Sequence, residues 1–63
     1  MHDRDQIYVI NTIVAQVLEY RKRGGKDETY AIEQLLAHCE YLNLRFDKHS
    51  VRIKIIQILE SVK

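Results

Sequence analysis

Sixty-three residues, 46% of them apolar, with ten basic and nine acidic side chains and a single cysteine, make one small domain that cannot close an internal disulfide. A net charge of +1 does not mark a nucleic-acid binder by itself, and the apolar share is too high for a disordered tail. A chain this short buries only about 60% of the surface it exposes when unfolded, so it needs a staple. With no disulfide and no recognisable metal-ligand spacing, tight helix packing and oligomerisation remain.

No run approaches the roughly 18 consecutive apolar residues of a membrane span. The start, Met1-His2-Asp3-Arg4-Asp5, lacks the basic region and apolar run of a signal peptide. A lone thiol without an export signal points to the cytoplasm.

The only glycines are Gly24 and Gly25 and there is no proline, so the elements are few and long. A first helix is predicted over about residues 5–23, from Ile7, Ile10, Val14 and Val17 at spacings of three, four and three, widened by Ile13 and Leu18. Asp3 and Gln6 resemble a capping box. Arg21, Lys22 and Arg23 suit the negative end of the helix dipole, and Gly24 suits the left-handed position that ends many helices. A second helix is predicted over about residues 27–43, capped by Asp27, apolar at Ile32, Leu35, Leu36, Cys39 and Leu42, and stopped by Asn43. Leu44-Arg45-Phe46 connects it to a third helix over about residues 48–62, capped by Asp47 or Ser50. In that last segment Val51, Ile55, Ile58 and Val62 repeat at four, three and four. The alternation Val51-Arg52-Ile53-Lys54-Ile55 leaves an extended stretch open as the competing reading, but it fails at Ile56. The expected fold is all-α, three helices running up-down-up.

The apolar arcs are wide. At 100° per residue the first helix is apolar over roughly 180°, from Val9 through Tyr20, Ile13, Val17, Ile10, Val14 and Ile7 to Leu18, against roughly 100° for an ordinary surface helix. In the third, Ile53 and Ile56 point well away from the main stripe. A patch of such residues marks an interface, and a two-fold dimer is the simplest cover. Val9, Ile10, Ile13, Val17, Ile53, Ile56 and Leu59 are the expected interface of a homodimer or higher oligomer. The competing reading is a monomer with scattered exposed aliphatics.

Chemistry-bearing residues are sparse. Cys39 shares the apolar face of the second helix and reads as a small hydrophobe; its neighbour His38 points about 100° away, so no Cys-His device is indicated. His2, His38 and His49 fall one per region, without the spacing that puts two imidazoles on one metal. Glu33 and Glu40 share a helix face that reads as solvated. No catalytic, metal or cofactor site and no small-molecule substrate are expected, and an enzyme is not indicated.

Charge distribution says more than its sum. Residues 27 to 44 carry Asp27, Glu28, Glu33 and Glu40 and no Lys or Arg. Arg21, Lys22, Arg23 and Lys26 form one basic cluster, and Arg45, Lys48, Arg52 and Lys54 another, about 25 Å apart at opposite ends of the bundle. The second cluster could touch the phosphates of DNA or RNA. Solubility, dipole matching and salt bridges, including a neighbour's acidic flank, are the plainer use. A helix-turn-helix is disfavoured, because the turn lacks glycine and the third helix is apolar on most sides. Tyr8, Tyr20 and Tyr41 are expected partner contacts, since tyrosine buries a ring while keeping a polar tip.

The Ile/Val-rich first helix (Ile10 to Leu18), the short basic turn, Ala-Ile-Glu-Gln-Leu-Leu-Ala-His-Cys-Glu at 31–40 and Val-Arg-Ile-Lys-Ile-Ile-Gln-Ile-Leu at 51–59 together resemble the small enterobacterial biofilm-development regulators of the YmgB/AriR type. The resemblance spans nearly the whole chain. It implies a dimeric helical regulator acting through protein partners, with DNA contact as a secondary prospect. Three functions follow in order: a dimeric adaptor or regulator that binds another protein, a small DNA- or RNA-binding regulator, and a structural piece of a larger complex.

Overall fold

The structure is a computed structural model that describes residues 3–62. Three helices follow one another: α1 (Asp3–Lys22), α2 (Glu28–Tyr41) and α3 (Lys48–Ser61), with no strand among the described residues. The extended alternative at Val51–Ile55 gives way to helix. His2 lies outside the described residues, as does the side chain of Asp3 on which the expected capping box depended. Gln6 is used otherwise, as a tie to the second loop.

Both turns stop their helix in the same way. After α1, Gly24 sits at φ +82°, its N–H bonds the Arg21 carbonyl at 3.1 Å, and the Gly25 N–H reaches back to Tyr20 at 2.9 Å. After α2, Asn43 takes φ +63°, its N–H bonds Glu40 at 3.0 Å, and the Leu44 N–H bonds Cys39 at 3.3 Å. These bonds satisfy carbonyls that a helix end otherwise leaves orphaned, and Gly and Asn are the residues that tolerate the left-handed step. Leu44 then folds its side chain onto the core. Asp27 caps α2 by accepting from the Tyr30 N–H at 3.0 Å. Asp47, rather than Ser50, caps α3: it accepts from the His49 and Ser50 N–H groups, while the Ser50 hydroxyl donates to its other oxygen at 2.9 Å.

Side-chain ties set the direction of each helix. The Arg45 N–H donates to Asp5 at 2.8 Å and the Asp47 N–H to Gln6 Oε1 at 3.0 Å, holding the second loop against the start of α1. Arg21 Nη1 donates to the Val62 carbonyl at 3.0 Å, holding the end of α3 against the end of α1. The chain therefore runs up, down and up.

One stripe of each helix makes the core: Val9, Ile13 and Val17, then Ile32, Leu36 and Cys39, then Val51, Ile55 and Leu59, none more than 5% exposed. Burying an aliphatic side chain of this size contributes roughly 1.5–3 kcal/mol. α1 packs against both other helices, which touch each other far less. That arrangement accounts for the breadth of the α1 arc, because a helix with two neighbours must be apolar on two flanks. It also corrects an expectation. Val9, Ile13, Val17 and Leu59, predicted to face a second copy, are inside the single chain and present almost no surface. Ile10 is half-buried against the same core.

Candidate functional site

The exposed aliphatic residues Ile7, Ile53, Ile56 and Val62 lie near two seams between helices. The first involves α2 and α3. Relative to the buried Ile55, Ile53 and Ile56 stand about 160° and 100° round the helix, and they are 43% and 39% exposed. Ile56 lines a shallow groove with Thr29 and Ile32 of α2 and Leu59 of α3. On the outward side of α2, Tyr30, Gln34, Ala37 and Tyr41 follow at four, three and four, all exposed, with Tyr41 at 83%. The second seam runs between α1 and α3. A groove there is lined by Ala15, Leu18, Glu19, Arg21, Lys22 and Val62. Ile7, 58% exposed, lies on the Leu18 side of α1.

The charges are mostly matched within the chain. Arg21 makes a two-bond fork on Glu28, at 2.7 and 2.9 Å, and Arg52 makes another on Glu33, at 2.5 and 2.9 Å. Such planar forks combine charge with fixed geometry. The guanidinium of Arg21 holds the Glu28 carboxyl below its ordinary value, mainly through these hydrogen bonds, and Arg52 does the same to Glu33. Lys48 reaches Glu40 at 3.3 Å, and Lys22 lies 3.7 Å from Glu19, one turn away. Hydrogen bonds from the Ser50 hydroxyl and N–H hold Asp47 low as well.

These pairings change the reading of the second basic cluster. Arg52 and Lys48, expected to touch phosphates, have their charged ends held by the acidic face of α2. Arg45 and Lys54 are exposed, with no carboxylate within salt-bridge distance among the described residues. The acidic flank that could have served a neighbouring copy is engaged at home.

The tyrosines divide. Tyr8 and Tyr41 are exposed, as a partner contact requires. Tyr20 is a structural residue instead: half-buried, its hydroxyl accepts from the Asp27 N–H at 3.1 Å, and its ring occupies the space where a side chain on Gly25 would go. The sequence expectation gave the helix stop to Gly24 and no role to Gly25. A second glycine directly after the one that ends the helix was the available sign that something packs there. The ties from Asp5 and Gln6 to the second loop carried no signal in spacing or composition.

Cys39 is buried, and burial pushes its thiol up, away from the thiolate that nucleophilic or redox work needs. Among the described residues no three His, Cys, Asp or Glu side chains come together as a metal site, and no helix is long and apolar enough to cross a membrane. The arrangement offers apolar grooves and charge, and the one hydroxyl described against a carboxylate, Ser50 on Asp47, belongs to the cap of α3. No protein-family model, curated protein or solved structure matches the chain.

Proposed function

We propose that the chain is a small regulatory or adaptor protein that works by helix packing, first against a second copy of itself and then against another protein, rather than by catalysis. One observation carries this reading. Among the described residues, eight large hydrophobics are exposed, Ile7, Tyr8, Tyr30, Tyr41, Leu42, Ile53, Ile56 and Val62, nearly as many as the nine that form the core. A folded monomer scatters a few such residues, but here Ile53 and Ile56 lie one turn apart on one helix, next to a groove. In a two-fold dimer each α3 would meet its counterpart through these two isoleucines. The resemblance to small helical biofilm-development regulators accords with a dimer of this kind. Contact with DNA or RNA through Arg45, Lys48, Arg52 and Lys54 has weaker support, because Lys48 and Arg52 are already ion-paired.

Analytical ultracentrifugation tests the dimer. The wild type is expected to sediment as a dimer, and Ile53→Ser with Ile56→Ser as a helical monomer. A wild type that stays monomeric up to its solubility limit overturns the proposal.

A further inference from the structure

We infer that the seam between α1 and α3 is a docking groove for an acidic amphipathic helix of a different protein. The inference names the partner chemistry for the interaction role above, but uses a different surface from the dimer. At 100° per residue, Ile7, Asn11, Val14 and Leu18 fall within about 60° of one another on α1. Val14 and Leu18 are half-buried against the core, and Ile7 is exposed. Across the seam, α3 supplies Ile58, half-buried, and Val62, 39% exposed. The two ties between these helices, Gln6 to Asp47 and Arg21 to Val62, both span 41 residues. α3 therefore runs beside α1 in constant register, and Lys54 comes level with Ile13 and Val14. From Ile7 to Leu18 the row is about 16 Å long, three helical turns.

By helical position, basic side chains flank this row, some of them beyond the groove's own lining. Arg4 and Lys22 lie on α1 about 40° from Leu18, near the two ends of the row, and Lys54 lies on α3; all three are exposed. Among the described residues Glu19 is the carboxylate that lines the groove, and it sits 3.7 Å from Lys22. An apolar row between cations fits a helix with aliphatic residues at i, i+4, i+7 and i+11 and carboxylates on its flanks. A second copy of this chain does not provide one. Among its described carboxylates, Asp5, Asp27, Glu28, Glu33, Glu40 and Asp47 hold a cap, a loop or a cation of their own chain and Glu19 lies beside Lys22, which leaves Glu60 alone, too few to flank a helix. Nucleic acid does not fit either, since the middle of the face is aliphatic where phosphates would lie.

The test uses two fluorescent helical peptides of about four turns, each with Leu at i, i+4, i+7 and i+11, one with Glu and one with Lys on the flanks. The Glu peptide is expected to bind at least about tenfold more tightly, and to weaken with added salt. Lys54→Glu should cut its affinity about tenfold, and Ile7→Ser should weaken it as well; both positions are exposed, and circular dichroism checks that both variants fold. Ile53→Ser with Ile56→Ser should leave peptide binding unchanged, so loss of the dimer and loss of the groove read out separately. Equal binding of the two peptides, or indifference to Lys54→Glu and Ile7→Ser, overturns the inference. So does tighter, variant-sensitive binding to phosphatidylserine vesicles or single-stranded DNA, which would make the face a lipid or nucleic-acid surface.

Discussion

Gly24 and Gly25 are adjacent, yet the structure gives them different jobs, and substitution separates the two. Gly24 needs its backbone conformation: at φ +82° nothing lies within 4 Å of a built-on methyl. Gly25 needs space: its φ is not in the left-handed region, but a methyl there would overlap the Tyr20 ring. Gly25→Ala must push the ring outward. That breaks the bond between the Tyr20 hydroxyl and the Asp27 N–H, worth about 0.5–1.5 kcal/mol, and exposes part of the ring. The expected cost is about 1–2 kcal/mol, against a whole-domain stability of roughly 3–9 kcal/mol at this length. At about 4–8 °C per kcal/mol, the melting temperature should fall by roughly 5–15 °C. In a Tyr20→Ala background the obstacle is gone, and Gly25→Ala should become neutral or stabilising by about 0.4–1 kcal/mol, because alanine restricts the unfolded chain. Gly24→Ala should cost about 1–2 kcal/mol in both backgrounds, since its penalty is in the backbone. Urea unfolding followed by circular dichroism, at one fixed protein concentration, measures all four corners of each cycle. If Gly25→Ala costs the same with and without the Tyr20 ring, the steric argument is wrong.

Ile13, wholly buried on the central helix, should lose about 2–5 kcal/mol on truncation to alanine, while Ile7→Ala on the exposed face should change stability by less than about 0.5 kcal/mol; urea midpoints compare them. Acid should weaken the fold. Glu28, Glu33 and Asp47 all titrate below their ordinary values when folded, so their stabilisation is complete above the unfolded values near pH 4 and is lost as pH falls through the folded ones. Melting temperature should be nearly flat between about pH 7 and 5 and fall below about 4, with a shallower fall in Glu28→Gln with Glu33→Gln; an unchanged slope in that variant would detach the ion pairs from the acid response. Cys39 should react slowly with iodoacetamide in the native state and quickly in urea, and Ile13→Ala should speed native labelling by opening the core more often.

The helices were legible because their signals are local. Spacing at three and four, the stops at Gly24 and Asn43 and the cap at Asp47 each act within one turn, and each has the geometry its residue type favours. Which apolar residues the chain itself covers was less legible, for a reason that is also physical. An arc of apolar residues records how much of a helix is covered, not by what. On α1 the cover is α2 and α3, so Val9, Ile13 and Val17 went to the core; on α3 the same kind of breadth left Ile53 and Ile56 outside. Which helix is central depends on pairings such as Gln6 to Asp47 and Arg21 to Val62, whose partners are 41 residues apart and carry no periodic mark.

Charge follows the same division between local and distant signals. The two basic clusters and the acidic middle helix are plain in the sequence, but their sum of +1 conceals how they pair. Folding sets Glu28 against Arg21, Glu33 against Arg52 and Glu40 against Lys48. Exposed pairs of this sort contribute little to stability, so their larger effect is on what is left over. The acidic face of α2 becomes electrically quiet, and the cations without a carboxylate partner among the described residues include Lys54 and Arg45. A nearly neutral chain thus presents a locally positive surface, and on the side where α1 and α3 meet that surface borders exposed aliphatic side chains. In the proposed groove, charge and apolar area together would select an acidic amphipathic partner; either one alone would leave the choice open.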